Sequence, residues 1–183
     1  MTRRRAPLVA SAVGAVLLGL LVLLAVADPA TDSASSPLLG RPAPAVVSTS
    51  LDGQPFDLAR RKGSWVVLNF FNSTCVPCRN EHPNLLRFAE AQEKADDPVE
   101  LYTVVNDDSD AAVEAFFGAN GGEWPRVRDD DGAIAVAFGV AKVPETWVID
   151  PNGFVRLRVV GEITADFLEQ RVAEMRAADA GQS

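Results

Sequence analysis

Cys75 and Cys78 are the chain's only cysteines, and the residues on either side of them leave few options for the local fold. Trp65-Val66-Val67-Leu68-Asn69-Phe70-Phe71 is a short β-branched and aromatic run that reads as a buried strand. From Pro77 onward Leu85, Leu86, Phe88 and Ala89 recur at helical spacing. The cysteine pair therefore falls on a strand-to-helix turn. The first N–H groups of a helix lack intrahelical partners and form the positive end of its macrodipole. A thiolate placed there is stabilised, so the spacing predicts a lowered pKa for Cys75 and a nucleophilic role. Cys78, one turn on, is placed to resolve a mixed disulfide. Pro77 suits the first turn, where its missing N–H leaves no hydrogen bond unmade.

Three other readings compete. A purely structural bridge gains little from closing a two-residue loop. A zinc site needs four ligands, and His82 is the only histidine. A lone Cys-x-x-Cys also arises by chance, although the strand–turn–helix setting strengthens it. No metal and no cofactor is expected. His82 itself reads as a surface residue, and Trp65, Trp124 and Trp147 as core or core margin. Asp129-Asp130-Asp131-Gly132 resembles part of a calcium loop, but no glutamate completes the twelve-residue pattern, so it reads as a solvated turn.

Arg3, Arg4 and Arg5 precede an uncharged apolar run from Leu8 to Ala27. Twenty helical residues rising about 1.5 Å each reach about 30 Å, the thickness of a bilayer's hydrocarbon core. Arginines on one side only predict a cytoplasmic N-terminus and an extracytoplasmic domain. Ala25-Val26-Ala27 has the form of a signal-peptide cleavage site, so a cleaved leader is the alternative to a single-pass membrane anchor over residues 8–27. Either way the domain lies in an oxidising compartment. Residues 28–37 read as a flexible tether, 38–178 as one domain and 179–183 as a tail. The chain carries 17 basic and 25 acidic residues. Without the three N-terminal arginines the balance is 14 against 25, a net −11. So acidic a domain is a poor nucleic-acid binder.

Within the domain, strands are expected over Ala45–Thr49 and Phe56–Leu58 around an Asp52-Gly53 turn, then Trp65–Phe71. A helix follows from Pro77 to about Lys94, a strand over Glu100–Asn106 and a helix over Asp110–Phe117 capped by Ser109 or Asp110. A short helix over Ile134–Phe138 precedes two strands, Thr146–Ile149 and Phe154–Val160, joined by Asp150-Pro151-Asn152-Gly153. Thr164 caps a last helix stapled by Ile163 and Leu168. This order describes an α/β, thioredoxin-like three-layer fold, a central mixed sheet flanked by helices, with an added N-terminal β-hairpin.

Pro144 stands just before a buried strand, where it cannot donate to the ladder. Together with the upstream cysteines it predicts a cis Val143–Pro144 bond. That bond would bring the loop against the thiols and leave the Val143 backbone free to pair with an extended peptide.

Cys75-Val76-Pro77-Cys78-Arg79-Asn80-Glu81-His82-Pro83 and Gly139-Val140 through Pro144-Glu145-Thr146-Trp147-Val148-Ile149-Asp150, then Asn152-Gly153, resemble the membrane-anchored, thioredoxin-like thiol–disulfide oxidoreductases of cytochrome c biogenesis, the TlpA/ResA/DsbE (CcmG) family. The resemblance covers roughly residues 38–178. It implies Cys75 as attacking thiol, Cys78 as resolving thiol, a Cys75–Cys78 disulfide, a cis Pro144 that binds substrate with Val143, and Glu81 and Glu145 as tuning acids. Glu81 also reads as an ordinary first-turn acid facing the helix dipole. The implied function is a reductant in cytochrome c maturation, acting on protein disulfides such as those of apocytochrome c and recharged by a membrane thiol-electron donor. An oxidase of exported proteins is the alternative, and a redox-silent binding module with a permanent bridge a third. Two residues depart from the family pattern: Thr74 stands where a tryptophan usually precedes the first cysteine, and Asn72 where another aromatic is common.

Overall fold

A computed structural model describes residues 14, 16–19 and 33–181. The expected anchor lies outside these residues except for residues 14 and 16–19. Among the described residues no helix is long and apolar enough to cross a membrane. The described residues 33–181 belong to one compact unit.

The elements are β1 (Val47–Thr49), β2 (Pro55–Asp57), β3 (Val66–Phe71), α1 (Val76–Gln92), β4 (Glu100–Asn106), α2 (Asp110–Asn120), β5 (Arg126–Asp129), α3 (Ala133–Phe138), β6 (Glu145–Ile149), β7 (Val155–Val160) and α4 (Ala165–Ala180), with a 3-10 turn at Leu58–Arg61. Five strands form one sheet in the order β5-β4-β3-β6-β7. β3 pairs in parallel with β4 and β4 with β5, while β6 lies antiparallel to both β3 and β7. β1 and β2 form the N-terminal hairpin. The thioredoxin-like mixed sheet with an added hairpin is thus the observed fold.

β3 is buried on both faces, as a central strand covered on both sides must be. Val67 and Phe71 point to one side, where they pack with Leu85 and Phe88 of α1, Phe116 and Phe117 of α2 and Leu168 and Val172 of α4. Val66, Leu68 and Phe70 point to the other, against Ile134 and Phe138 of α3 and Phe56 of the hairpin. Each such side chain removed from water contributes about 1.5–3 kcal/mol. The α4 cap is as expected: Thr164 Oγ1 accepts from the Phe167 N–H, and Ile163 and Leu168 are buried.

Three differences from the sequence reading follow from tertiary packing. β5 is a strand where none is expected, because Arg126 and Arg128 break up its apolar run and only Val127 advertises burial. The Asp129–Gly132 stretch is not merely a solvated turn. Asp129 is buried and its two carboxylate oxygens accept from the N–H groups of Ile134 and Ala135, so it caps α3. Residues 33–37, expected to belong to a flexible tether, include backbone pairing with the domain. Ser33 bridges to Val159, the Ala34 N–H donates to Arg158 O at 2.8 Å, and the Gly40 N–H donates to Val155 O at 2.8 Å. Residues 33–42 therefore run along the outer side of β7 and cover what would be an open sheet edge.

Candidate active site

β3 ends at Phe71 and α1 begins at Val76, so the intervening turn hangs Cys75 at the helix start. Cys75 is the N-cap residue, with extended backbone and Pro77 in the first turn. Cys75 and Cys78 are joined in a disulfide. The Cys78 N–H donates to Cys75 Sγ at 3.2 Å, one of the orphan helix donors aimed at the sulfur. Cys75 is half-buried whereas Cys78 is sealed from solvent.

The Val143–Pro144 peptide is cis. Val143 O lies 3.6 Å from Cys75 Sγ, so the loop and the disulfide share one surface. Pro144 O accepts from the Gly161 N–H at 3.0 Å, which ties the loop to the end of β7. Glu145 follows, 1% exposed, and its two oxygens take Arg158 Nε at 2.8 Å and Nη2 at 3.0 Å. The Arg158 guanidinium also stacks over the Trp147 ring, 5.3 Å from its centroid, and donates to Ser35 O at 3.0 Å.

Glu81 lies on α1 one turn beyond Cys78 and is 1% exposed. It is not a first-turn acid, since the first turn of α1 holds no acidic residue and Glu81 is buried in the second. Its oxygens accept from Asn69 Nδ2 at 2.8 Å and from the Ile163 N–H at 3.0 Å. Burial pushes its pKa up to about 8, against these two hydrogen bonds, which lower it; the charge of Glu162 adds a small upward push. The raised pKa favours the neutral acid at neutral pH, one helical turn beyond Cys78.

His82 is not a surface residue. It is 2% exposed and packs edge-on to Phe116 and Phe117, with ring centroids 4.9 Å and 5.1 Å away. Its Nε2 lies 2.9 Å from Gly121 O, and a carbonyl only accepts, so Nε2 carries the proton. Burial pushes the His82 pKa down. Gly121 and Gly122 both have positive φ, and a Cβ on Gly122 would meet Trp124 Cη2 at 2.9 Å. The signal was in the spacing: His82 falls four residues after Cys78 and three before Leu85, on the buried face of α1. Asn69 also belongs to the site, although nothing in its sequence setting singles it out. It lies on β3 between Val67 and Phe71, and its amide reaches both Glu81 and Thr146 Oγ1, the latter at 3.1 Å.

The Redoxin family model matches residues 38–177. The thiol:disulfide interchange protein HelX of Rhodobacter capsulatus is 34% identical over 146 residues, which is 78% of this chain and 80% of HelX. The thiol-disulfide oxidoreductase ResA of Bacillus thuringiensis is 33% identical over 132 residues, 72% of this chain and 75% of ResA. A solved structure from Chlorobium tepidum, named as a thiol:disulfide interchange protein DsbE, superimposes with a TM-score of 0.67 at 28% identity, covering 74% of this chain and 96% of that one.

Proposed function

The chain belongs to the redoxin family of thiol–disulfide oxidoreductases, and on that premise we propose that it is an extracytoplasmic reductant of protein disulfides in cytochrome c maturation. The observation that carries the reading is half-buried Cys75, whose sulfur accepts from the Cys78 N–H at 3.2 Å and lies 3.6 Å from Val143 O.

In the dithiol state the Cys75 thiolate attacks one sulfur of a substrate disulfide. A mixed disulfide forms, and the departing substrate sulfur takes up a proton. The Cys78 sulfur, having given up its proton, then attacks Cys75 Sγ. This releases the second substrate thiol and closes the Cys75–Cys78 bridge. Two electrons have passed to the substrate, and a membrane thiol donor returns two to reopen the bridge. Val143 and Pro144 hold the substrate chain in extended form beside Cys75, where main-chain pairing gives affinity without demanding one sequence.

Glu81 tunes the thiols. As a neutral acid it leaves the Cys78 thiol able to ionise, and as an anion it opposes thiolate formation by like charge. That supports a reductant, since a strong oxidant depends on a strongly stabilised thiolate. Glu145 acts at one remove, through the Pro144 loop that its ion pair anchors. The substrate class, apocytochrome c Cys-x-x-Cys-His sites, rests on family likeness. The single-pass membrane location rests on Arg3–Arg5 and the apolar residues 8–27.

A Cys78→Ser variant tests the reading. It should accumulate mixed disulfides through Cys75 in cells, and Cys75→Ser should not. If Cys78→Ser traps nothing and the wild type shows no disulfide exchange, the bridge is a permanent one and the protein a binding module.

A further inference from the structure

The end of the sheet opposite the cysteines holds a cavity that the thiol chemistry does not use. Its volume is about 300 Å³, at the lower end of the range for small-molecule sites, about 300–1,000 Å³. Val66 opens β3, Ile149 closes β6, and with Leu58 these buried apolar residues line it. Pro42, Ala43 and Phe154 line it too, and Phe154 stays 39% exposed. β3 is six residues long, so about 20 Å of strand lies between the cavity and the turn that carries Cys75. The surrounding main chain is already pinned. The Ala43 N–H donates to Gly153 O at 2.8 Å, the Leu58 N–H to Val46 O at 2.9 Å and the Gly63 N–H to Pro151 O at 2.9 Å. The cavity is therefore pre-formed, as small-molecule sites usually are.

Its charge sets it apart from the rest of the domain. Arg61 and Lys62 line the cavity, and Arg41 and Arg60 adjoin lining residues in sequence. Four of the 14 basic residues outside the N-terminal cluster thus gather at one end of a domain in which acids predominate. Among the described residues Arg41, Arg60 and Lys62 enter no ion pair, and Arg61 reaches Glu100 only at 3.8 Å, beyond hydrogen-bond range. Arg61 Nε is sealed from water and has no hydrogen-bond partner among these residues, which costs free energy until an acceptor arrives. The only acid in the lining, Asp150, is already committed. Its Oδ1 accepts from the Asn152 and Phe154 N–H groups, each at 2.9 Å, and its Oδ2 takes Arg156 Nη1 at 3.0 Å. We infer that this cavity binds a small amphipathic anion, with an acyl chain against the apolar lining and a carboxylate or phosphate head at Arg61 and Lys62. The lining gives affinity through apolar area removed from water, and the cations select the charged head over an uncharged chain of equal length. Free fatty acids and anionic membrane lipids share this chemistry. Nothing in the inference rests on the reactivity of Cys75.

The experiment uses the full chain in phosphatidylcholine nanodiscs, with empty nanodiscs as the blank. Equilibrium dialysis against radiolabelled octanoate, and separately against octanol, reads what the protein retains above the blank, and circular dichroism checks that each variant folds. Wild type should retain octanoate with single-site saturation and hold octanol at least about tenfold more weakly, the worth of one charge-assisted hydrogen bond. Arg61→Met combined with Lys62→Met should weaken octanoate at least about tenfold and leave octanol unmoved. Ala59→Trp, at an exposed lining position, should fill the mouth and lose both. Disulfide exchange should stay at the wild-type rate throughout. Octanoate retention that vanishes in phosphatidylglycerol nanodiscs supports the site and makes a membrane lipid its source; equal retention in both lipids supports it with a free acid as source. Wild type that retains no octanoate above the blank, or holds octanoate and octanol alike, overturns the inference. If the double variant does not fold, Ala59→Trp decides, and unchanged octanoate retention there overturns it. Octanoate retention in a wild type that shows no disulfide exchange sinks the redox reading and leaves this site standing.

Discussion

The Glu81 carboxylate accepts from the Asn69 side-chain amide at 2.8 Å, and both residues are sealed from solvent. The contact joins the central strand to the helix that carries the cysteines, one turn beyond Cys78. Its direction is informative. The Asn69 amide lowers the Glu81 pKa, and burial, the larger effect, raises it to about 8. Once reduced, Cys78 lies one helical turn from Glu81, and an ionised Glu81 opposes thiolate formation by like charge. The alkylation rate of reduced protein should show two inflections with pH, one of them near 8. Glu81→Gln should leave one. Asn69→Leu should move the Glu81 inflection upward, because it removes a bond that favours the anion. A single unshifted inflection in all three proteins would disconnect Glu81 from the thiols.

The same shift predicts a pH dependence of stability. Glu81 is raised from 4.5 to about 8 in the folded protein, so between these values the native state holds a proton that the unfolded chain has released. The stability this confers is fully present below about pH 4.5, declines as pH rises and is gone above about 8. Its size is on the order of a few kcal/mol, at about 1.4 kcal/mol per unit. Urea midpoints at pH 5 and pH 9 should differ more in wild type than in Glu81→Gln. Equal differences would refute the assignment. The Gln amide also faces the Ile163 N–H as a second donor, so a uniform destabilisation on top is expected.

Much of this geometry was legible in the sequence. The strand–turn–helix around Cys75 and Cys78, the Ser109 and Thr164 caps and the last hairpin all rest on local signals, which act over a few residues. What was illegible depends on distant partners. Nothing near Asp129 says that its carboxylate will cap α3 rather than meet water. The burial of Asn69 and Glu81 becomes visible only once Ile163, 82 residues beyond Glu81, supplies its N–H. His82 reads from sequence as a surface residue because a lone polar residue on a helix suggests solvent. Yet its ring fills an aromatic pocket formed by Phe116, Phe117 and Trp124, which come from α2 and the following loop.

Arg158 and Glu145 form a pair whose acid is 1% exposed. Removing one partner strands the other charge in a dry site, whereas removing both does not. Arg158→Met should cost about 3–5 kcal/mol in urea unfolding, and Glu145→Gln with Arg158→Met should recover much of that loss. A near-neutral Arg158→Met would mean that the ion pair does not anchor the strand following Pro144.

The direction of electron flow is the central claim, and the reduction potential of the full-length protein tests it most directly. Equilibration against glutathione and dithiothreitol should give a value nearer thioredoxin's, about −270 mV, than the strong oxidant's, about −120 mV. A value near the oxidising end, together with a Cys75 pKa far below neutrality, would contradict the reductant reading and make the protein an oxidase of exported thiols.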